Sequence, residues 1–167
     1  MSSGMKADFT ILEHAKGFQK KEDQFLVIEL VANEGAQKGK KGNTTYDWKD
    51  ITDKAKSSRL VGKTHDLMDH DQVKPNFEEF RETYFTDARA CLAFYDFSVV
   101  KPLVEAKSYK IAAFKWCPDT LQVGKKMVFA SSVETLRKDC SVSAHIIPGT
   151  DPDELTFEGV LKELEGK

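Results

Sequence analysis

The chain has few cysteines and no long apolar run. Its three cysteines, Cys91, Cys117 and Cys140, are an odd number, are widely spaced and form no C-x-x-C pair. This pattern argues against a disulfide framework and indicates reduced thiols in a cytosolic protein, where we interpret them as small buried residues. No stretch is apolar over the length of a membrane-spanning helix, and residues 1–6 lack the apolar core of a secretory signal. We therefore expect a cytoplasmic protein that does not span a membrane.

Motifs of enzymes are absent as well. The sequence contains no P-loop, no G-x-G-x-x-G, no H-E-x-x-H and no G-x-S-x-G string. Ser131 and Ser132 have no nearby histidine in the sequence to activate them, so we interpret them as packing residues. The carboxylates are scattered on predicted solvated helix faces and provide no acid and base pair. The sequence therefore predicts no catalytic residue, no cofactor and no enzymatic activity.

Two histidines lie in an acidic segment. His65 and His70 are close in sequence to Asp66, Asp69 and Asp71. These residue types ligate metals, but the segment has neither a repeated pattern nor a fixed helical spacing of ligands. We therefore favour a solvated loop and predict no metal site.

Charge of one sign does not dominate the chain. The 25 Lys and Arg residues nearly balance 27 Asp and Glu residues, which gives a net charge of -2 at pH 7. This balance argues against nucleic acid as the main partner. With 167 residues and a hydrophobic fraction of 40%, the chain suits a single domain over residues 1–167 with a full hydrophobic core. We expect this domain to be a monomer.

Hydrophobic periodicity predicts strands and helices around one sheet. Helices are predicted over residues 8–20, 46–56, from 75 onward, over 123–138, and at the end of the chain around Phe157 to Leu164. Strands are predicted over residues 24–32, 59–64, 88–97, 109–116 and 143–147. The rest is predicted as a mobile arm over 1–6, a loop over 33–42, an acidic connection over 66–74 and a turn or hairpin extension over 98–107. This order predicts a three-layer α/β domain.

The most informative stretch runs from Tyr109 to Cys140. Its apolar strand stops at Pro118-Asp119-Thr120, because proline cannot donate to a sheet ladder and aspartate favours turns. In the following helix, a spacing of about 100° per residue predicts a core-facing side. That side carries Phe129, Val133, Leu136 and Cys140. The opposite stripe carries Lys126, Met127, Ala130, Ser131, Glu134, Arg137 and Lys138. A methionine among cations suits a protein partner, although composition alone favours a solvated face.

The same stretch resembles the actin-depolymerising factor (ADF)/cofilin family. The family's strand ends in Trp and is followed by Ser-Pro-Asp-Thr and later by Lys-Met-(Ile/Val)-Tyr-Ala-Ser-Ser; here these strings read WCPDT from Trp116 and KMVFASS from Lys126. Upstream, AFYDF from Ala93 is similar to the family's Ala-(Val/Ile)-Tyr-Asp-Phe strand. The resemblance covers residues 1–32 and 76 onward and is poor in between, where we predict an insertion at about residues 35–56. It implies a single ADF-homology domain with a central mixed sheet of five or six strands, flanked by helices on both faces.

This resemblance implies a cytoskeletal protein that binds actin monomers (G-actin) and the sides of filaments (F-actin) and promotes depolymerisation and severing. Contacts used for monomers and filaments carry over to Ser3, Gly4, Lys125, Lys126, Met127, Glu134, Arg137 and Lys138. Contacts used for filaments only carry over to Lys107, Lys110, Asp151 and Glu154. Ser3 also matches the family's phosphorylated serine, although Ser2 is an equal target.

Several positions depart from the family's pattern. Gly124 and Val133 stand where cations are usual or frequent. The last helix departs in charge at Lys162, Glu163 and Gly166. These differences predict weaker activity on filaments than on monomers. The alternative function is a phosphoinositide-binding or scaffold module that uses the same basic stripe without strong actin turnover.

Overall fold

A computed structural model describes residues 8–20, 22–33, 45–61, 67–102 and 108–165. Over these ranges the strands are β1 (Phe25–Asn33), β2 (Thr45–Asp50), β3 (Cys91–Asp96), β4 (Ile111–Trp116) and β5 (His145–Gly149). They form one sheet in the order β2-β1-β3-β4-β5. The pairing of β4 with β5 is parallel and the other three pairings are antiparallel. The predicted mixed sheet is therefore confirmed, with five strands.

Helices cover both faces of this sheet. In the described ranges they are α1 (Phe9–Gln19), α2 (Lys54–Val61), α3 (His70–Tyr84), α4 (Val123–Cys140) and α5 (Phe157–Leu164), with 3-10 turns at Phe97–Val99 and Pro152–Glu154. The buried residues of α1 and α4 pack with Leu26 and Ile28 of β1, whereas those of α3 and α5 pack with Phe25 and Val27. Successive side chains of a strand point to opposite faces, so β1 contributes to both cores. This three-layer arrangement confirms the predicted fold class.

The first helix begins where the sequence predicts. The carboxylate of Asp8 accepts a 2.9 Å hydrogen bond from the Ile11 amide and thereby caps α1. Ile11, Ala15 and Phe18 are buried. Their spacing of three or four residues places them on one side of the helix, against the sheet.

The helix predicted over residues 46–56 is wrong for residues 46–53, and residues 54–56 belong to a helix, α2. Residues 45–50 form β2, in which Trp48 lies opposite Leu30 of β1, and the helix α2 begins only at Lys54. Trp48 is buried and Tyr46 is partly buried against the same core cluster, but one alternating pair is too short a pattern to distinguish a strand from a helix. The edge strand predicted over residues 59–64 is wrong for residues 59–61, which belong to α2. Residues 62–64, and residues 35–44 of the predicted insertion, lie outside the described residues; the insertion stays a prediction.

The chain that follows β2 stays against the same edge of β1. The Ile51 amide donates to the Val27 carbonyl at 2.9 Å. The buried Ser57 hydroxyl donates to the Phe25 carbonyl at 2.8 Å and accepts from the Phe25 amide at 3.1 Å. These bonds satisfy backbone groups of β1 that β2 does not reach, so a short helix completes the sheet edge.

Helix α3 begins at His70, five residues before the predicted start at Pro75. Asp69 and Gln72 form a capping box, in which the Asp69 amide donates to the Gln72 side chain at 3.0 Å. Val73 is fully buried and anchors the added turn to the core. Residues 70–74 are therefore helical rather than part of the predicted acidic connection. Pro75 lies inside the helix, where its ring leaves one backbone carbonyl without its usual donor.

Strand β5 runs further than predicted. It includes Pro148 and Gly149, whereas the prediction ended it at residue 147. It is an edge strand, in which a proline can be tolerated because it need not donate to a neighbouring strand. The Cys117 amide donates to the Gly149 carbonyl at 3.0 Å and extends the pairing beyond β4. Strands β3 and β4 begin at Cys91 and Ile111, a few residues later than predicted.

Candidate functional site

Helix α4 connects the end of β4 to the start of β5 and packs on one face of the sheet. Its core-facing side is as predicted, with at most 4% exposure at Phe129, Val133, Leu136 and Cys140. Ser132 is fully buried as well, in agreement with its interpretation as a packing residue. This burial fixes the rotation of α4 about its axis, and the opposite side of the helix faces water.

The first turn of α4 exposes apolar side chains. Val123 and Met127 are 68% and 67% exposed, and their spacing of four residues places them on one side of the helix. Lys125 and Lys126 flank them and are half-buried. The ammonium of Lys126 lies 3.5 Å from the backbone carbonyl oxygen of Asp119 and 3.9 Å from its carboxylate. We call Val123, Lys125, Lys126 and Met127 the Met127 patch.

The sequence-based contact set included three members of the Met127 patch and missed Val123. The signal that could have found it is its position four residues before Met127. Gly124 lies between these residues, and a Cβ atom built there would meet no atom within 4 Å. The backbone therefore leaves room for a side chain at Gly124.

Farther along α4, Glu134 binds two cations of its own chain. Lys115 of β4 donates to its Oε2 at 2.8 Å, and Arg137 donates to its Oε1 through Nε at 2.8 Å and through Nη2 at 2.6 Å. The side chains of Lys115, Glu134 and Arg137 are 25%, 41% and 23% exposed. The hydrogen bonds from Arg137 and Lys115 lower the pKa of Glu134 to about 2, so it is a carboxylate at neutral pH. We call these three residues the Glu134 cluster.

The last turns of α4 carry Arg137 and the exposed Lys138. Cations are favoured there by the partial negative charge of the helix end. Lys126 and Lys138 are twelve residues apart, which corresponds to about 18 Å along the helix axis. The exposed side of α4 therefore presents cations at both ends, with the exposed apolar pair near one of them.

The strings that carry the sequence resemblance lie in β3, at the end of β4 and in α4. A family model also covers the segment between β1 and α3. The model of the cofilin/tropomyosin-type actin-binding proteins matches residues 31–165. The chain belongs to this family. The match includes the segment over residues 33–75, in which the sequence resemblance was poor.

Cofilins are among the curated relatives. The cofilin of Kluyveromyces lactis is 35% identical over 103 residues, which are 61% of this chain and 71% of that protein. A solved structure of Streptomyces griseoflavus cofilin is 19% identical, with a TM-score of 0.62 over 95% of this chain and 96% of that one. A solved structure of human coactosin-like protein is 13% identical, with a TM-score of 0.60 over 96% of this chain and 98% of that one. These two structural likenesses show the fold alone, and cofilin and coactosin-like proteins share it.

The residues predicted for filament binding alone lie at two ends of the β4 and β5 pair. Lys110 is exposed directly before β4, at the end of the pair where α4 ends. Asp151 and Glu154 are exposed after β5, at the end where α4 begins. A strand of six residues, about 20 Å long, lies between these two positions. The fold therefore does not bring Lys110 together with the two carboxylates.

Both carboxylates also take part in the turn after β5. Glu154 accepts hydrogen bonds from the Thr150 amide and hydroxyl, each at 3.1 Å, and from the Asp151 amide at 3.0 Å. The bonds from Thr150 and then Asp151 lower the pKa of Glu154. Asp151 accepts from the Asp153 amide at 2.9 Å. These bonds give the two residues a local structural role, and their role in filament binding stays a prediction.

Ser3, Gly4 and Lys107 lie outside the described residues. Their assignments as actin contacts, and that of Ser3 as a phosphorylation site, stay predictions.

A second charged cluster joins α1 to the segment before β1 and to the end of β2. His14 bridges two carboxylates: its Nδ1 contacts Asp50, and its Nε2 lies 3.1 Å from Asp23. The side chains of His14, Asp23 and Asp50 are 7%, 12% and 21% exposed. The hydrogen bond to Asp50 raises the pKa of His14. Burial favours neutral Asp50, but hydrogen bonds from His14 and Thr52 outweigh it and lower the pKa of Asp50. We call His14, Asp23 and Asp50 the His14 cluster.

The thiols of this protein are poorly suited to nucleophilic chemistry. Cys91 and Cys140 are buried, and burial raises the pKa of both thiols, for Cys140 to about 12. Cys117 is half-buried, and burial raises its pKa too. Thiolate is the reactive form, so these groups fit the packing role expected from the sequence.

His70, one of the two histidines in the acidic segment, packs against its surroundings. Its Nε2 lies 3.0 Å from the Lys101 carbonyl oxygen, and its ring meets Phe157 edge to face at 5.7 Å between centroids. His65 and Asp66 lie outside the described residues. Among the residues that the structure does describe, no group of three or more His, Cys, Asp or Glu is arranged to hold a metal ion. Within the same ranges, no helix has the length and apolar character needed to cross a membrane.

Proposed function

We propose that this protein binds actin monomers and filament sides and promotes filament depolymerisation and severing, with weaker activity on filaments than on monomers. The Met127 patch is the observation that carries this proposal. Burial of an exposed apolar side chain at an interface is favourable, by about 1.5–3 kcal/mol when it is complete. Lysines beside it favour a partner surface that is acidic. Membership of an actin-binding family supports actin as that partner.

The test is a titration of fluorescently labelled actin monomers with a double variant, Lys125→Ala with Lys126→Ala. Loss of charged contacts at the centre of an interface typically costs about 2 kcal/mol, so affinity should fall about 30-fold. The matched control is Lys16→Ala with Lys49→Ala, which removes two exposed lysines from α1 and β2. It should bind like the parent protein, and both variants should keep the parent's melting temperature. Equal affinity of all three proteins would exclude the patch as an actin contact.

The proposal of weaker filament activity is supported by the positions of the charged residues predicted for filament binding and of those on the last helix, α5. Glu163 of α5 lies 3.2 Å from His145 of β5, so this carboxylate has a partner within the domain. Lys110 and Glu154 lie at different ends of a strand pair. Exposed ion pairs are worth a few tenths to about 1 kcal/mol each, so filament binding should be reduced rather than lost. Imaging of single filaments, at the same occupancy of this protein and of a yeast cofilin, should show less frequent severing by this protein.

An anionic lipid surface is the alternative partner, because clustered cations attract phosphoinositide headgroups. Flotation with phosphatidylcholine vesicles, with and without phosphatidylinositol 4,5-bisphosphate, separates it from actin binding measured by co-sedimentation. Vesicle binding without filament or monomer binding would favour the alternative.

Phosphorylation of Ser3 is proposed as the regulatory step. A phosphate adds nearly two negative charges, and a partner surface that attracts Lys126 would repel it. Ser3→Glu should therefore lower monomer affinity, with Ser2→Glu as the matched control for the neighbouring serine. Unchanged binding by Ser3→Glu would contradict the proposal.

A further inference from the structure

We infer that Glu134 and Lys115 act on actin through Arg137: they are positioning residues that hold its guanidinium in one orientation, and Arg137 makes the contact. The inference rests on the proposed actin binding and revises the expectation that Glu134 is itself a contact. Lys115 was not among the predicted site residues.

The first step concerns the capacity of Glu134. Its two oxygens receive contacts from Lys115 Nζ at 2.8 Å, from Arg137 Nη2 at 2.6 Å, and from Arg137 Nε at 2.8 Å and 3.2 Å. These four contacts come from three N–H groups, since the single Nε–H of Arg137 is shared between the two oxygens, and an ionised carboxylate has about four acceptor sites. A donor from actin would therefore find about one acceptor site, on a carboxylate whose charge two cations of its own domain already balance. Glu134 is therefore poorly suited to a direct contact.

The second step concerns the donors that Arg137 keeps. A guanidinium has five N–H groups, and Glu134 engages those of Nε and one of Nη2. Within the described parts of the chain, Nη1 makes no hydrogen bond. The outer edge formed by Nη1 and Nη2 thus keeps unused donors, on a side chain that is 23% exposed, and matches a carboxylate in the two-bond geometry that arginine favours. An acidic group is the partner that this edge would bind.

The third step concerns Lys115. Glu134 and Arg137 alone would sum to zero charge, whereas Lys115 (+1), Glu134 (-1) and Arg137 (+1) sum to +1. Lys115 also projects from β4, so it ties the carboxylate to the sheet rather than only to its own helix. The Nε and Nη2 side of the Arg137 guanidinium is thus fixed by Glu134 in the free protein, before a partner binds. Ordering of a long side chain in advance removes part of the entropy cost of binding, which corresponds to about a two- to tenfold gain in affinity.

The test is a double-mutant cycle on the affinity for labelled actin monomers. Glu134→Gln should weaken binding about two- to tenfold in the parent protein and have no further effect once Arg137→Ala is present. Lys138→Ala gives the matched control, because Lys138 is exposed on the same helix and makes no bond to Glu134 within the described residues. In the Lys138→Ala variant, Glu134→Gln should still weaken binding by the same two- to tenfold as in the parent protein. Glu134→Gln has nearly the same shape and is partly exposed, so we expect it to fold, which circular dichroism checks.

A second measurement reads the orientation of Arg137 directly in the free protein. In ¹H–¹⁵N spectra, the Nε–H of Arg137 should be rigid and protected from exchange, and Glu134→Gln should remove both properties. Lys115→Met, which keeps the aliphatic stem, should reduce them. A change confined to Arg137 would show that Glu134 holds this side chain, whereas a general loss of folding would alter many signals; the double-mutant cycle decides whether that hold acts on binding.

Two results would overturn the inference. If the fold losses of affinity from Glu134→Gln and Arg137→Ala multiply in the double variant, the two residues act independently and Glu134 is a direct contact. If Arg137→Ala binds actin monomers as tightly as the parent protein, Arg137 is not part of the interface. Failure of the parent protein to bind actin would instead overturn the proposed function. The Nε–H measurement would then still decide whether Glu134 and Lys115 hold Arg137.

Discussion

The His14 cluster and the Glu134 cluster have the same plan with opposite signs. In the first, one histidine bridges two carboxylates; in the second, one carboxylate bridges two cations. They differ in their access to water. His14 of α1 is 7% exposed, whereas Glu134 is 41% exposed on the outer side of α4.

Because of this difference in exposure, mutations in the His14 cluster should affect stability, whereas mutations in the Glu134 cluster should affect binding. Removal of one partner from a nearly buried group leaves charge that water reaches poorly, and the folded state loses stability. Removal of one partner from an exposed group lets water replace it, so stability changes little while the surface offered to a partner changes. The two clusters should therefore respond to mutation in different assays.

The largest expected effect is on stability, from His14→Ala. Asp23 and Asp50 would lose their shared partner while mostly buried, and we expect a loss of about 3 kcal/mol in the free energy of unfolding. Urea titration measures it. The matched control is His145→Ala, because His145 pairs with the exposed Glu163 and should cost less than about 1 kcal/mol. The folded His14→Ala protein should bind actin with the same affinity as the parent. A lower affinity would show that the His14 cluster also contributes to binding.

The next effect belongs to binding alone. Met127→Ala should weaken monomer binding by about 2 kcal/mol, because Met127 is the exposed apolar centre of its patch. Leu67→Ala is the matched control, since Leu67 is also an exposed apolar residue, at 55%, and lies outside α4. Neither variant should change the melting temperature, as neither side chain is buried. A similar loss of affinity in both variants would point to a general effect of surface hydrophobicity rather than to a defined contact.

A smaller effect should appear in the dependence of stability on pH. The folded pKa of His14 is raised above its ordinary value of 6.5, so its contribution is full below about pH 6.5 and is lost as the pH rises through the folded pKa. The folded pKa of Asp50 is lowered, so its contribution is present above about pH 3.8 and is lost as the pH falls. Asp23 also favours the charged imidazole, whereas Lys54 opposes it.

Urea titrations at pH 6 and pH 8 should therefore show the parent protein losing stability relative to His14→Gln as the pH rises. The same comparison for Glu134→Gln should be flat, because Glu134 stays ionised throughout this range. A parallel pH dependence of the parent and His14→Gln would show that the imidazole does not contribute in this way.

The sequence predicted α4 well because its apolar residues recur at helical spacing and the turn Pro118-Asp119-Thr120 precedes it, whereas its end was predicted two residues early. It did not predict β2, where Trp48 alone is buried and pairing with β1 decides the structure. It placed the start of α3 at Pro75, because proline is frequent in first turns, and the capping box at Asp69 was overlooked.

Both charged clusters escaped prediction for one physical reason. Lys115 and Glu134 come from a strand and a helix, and His14 and Asp50 come from a helix and a distant strand end. Such contacts depend on how layers pack, which no local spacing encodes. The exposed stripe of α4 was predictable because it lies within one helix; its internal ion pairs were only partly predictable, through the spacing of three residues between Glu134 and Arg137.

The smallest expected effect is an increase in the affinity for actin monomers, caused by Gly124→Lys. The site has room for a side chain and adjoins the Met127 patch, so an added ammonium should strengthen monomer binding by a few tenths to about 1 kcal/mol. Stability should change little: replacing glycine in a helix gains up to about 1 kcal/mol, and a cation in the first turn costs a similar amount. The labelled-monomer titration measures the gain in affinity.

The controls for Gly124→Lys separate charge from backbone. Gly124→Ala keeps the helix-propensity gain without the charge and should bind like the parent, whereas Gly124→Glu should bind more weakly. Because the added contact is exposed, the gain should shrink as salt shortens the screening length from about 10 Å at 0.1 M to about 3 Å at 1 M. An equal gain from alanine would mean that ordering of the first turn of α4, not charge, limits binding, and it would move the binding role of this patch from its cations to its apolar pair.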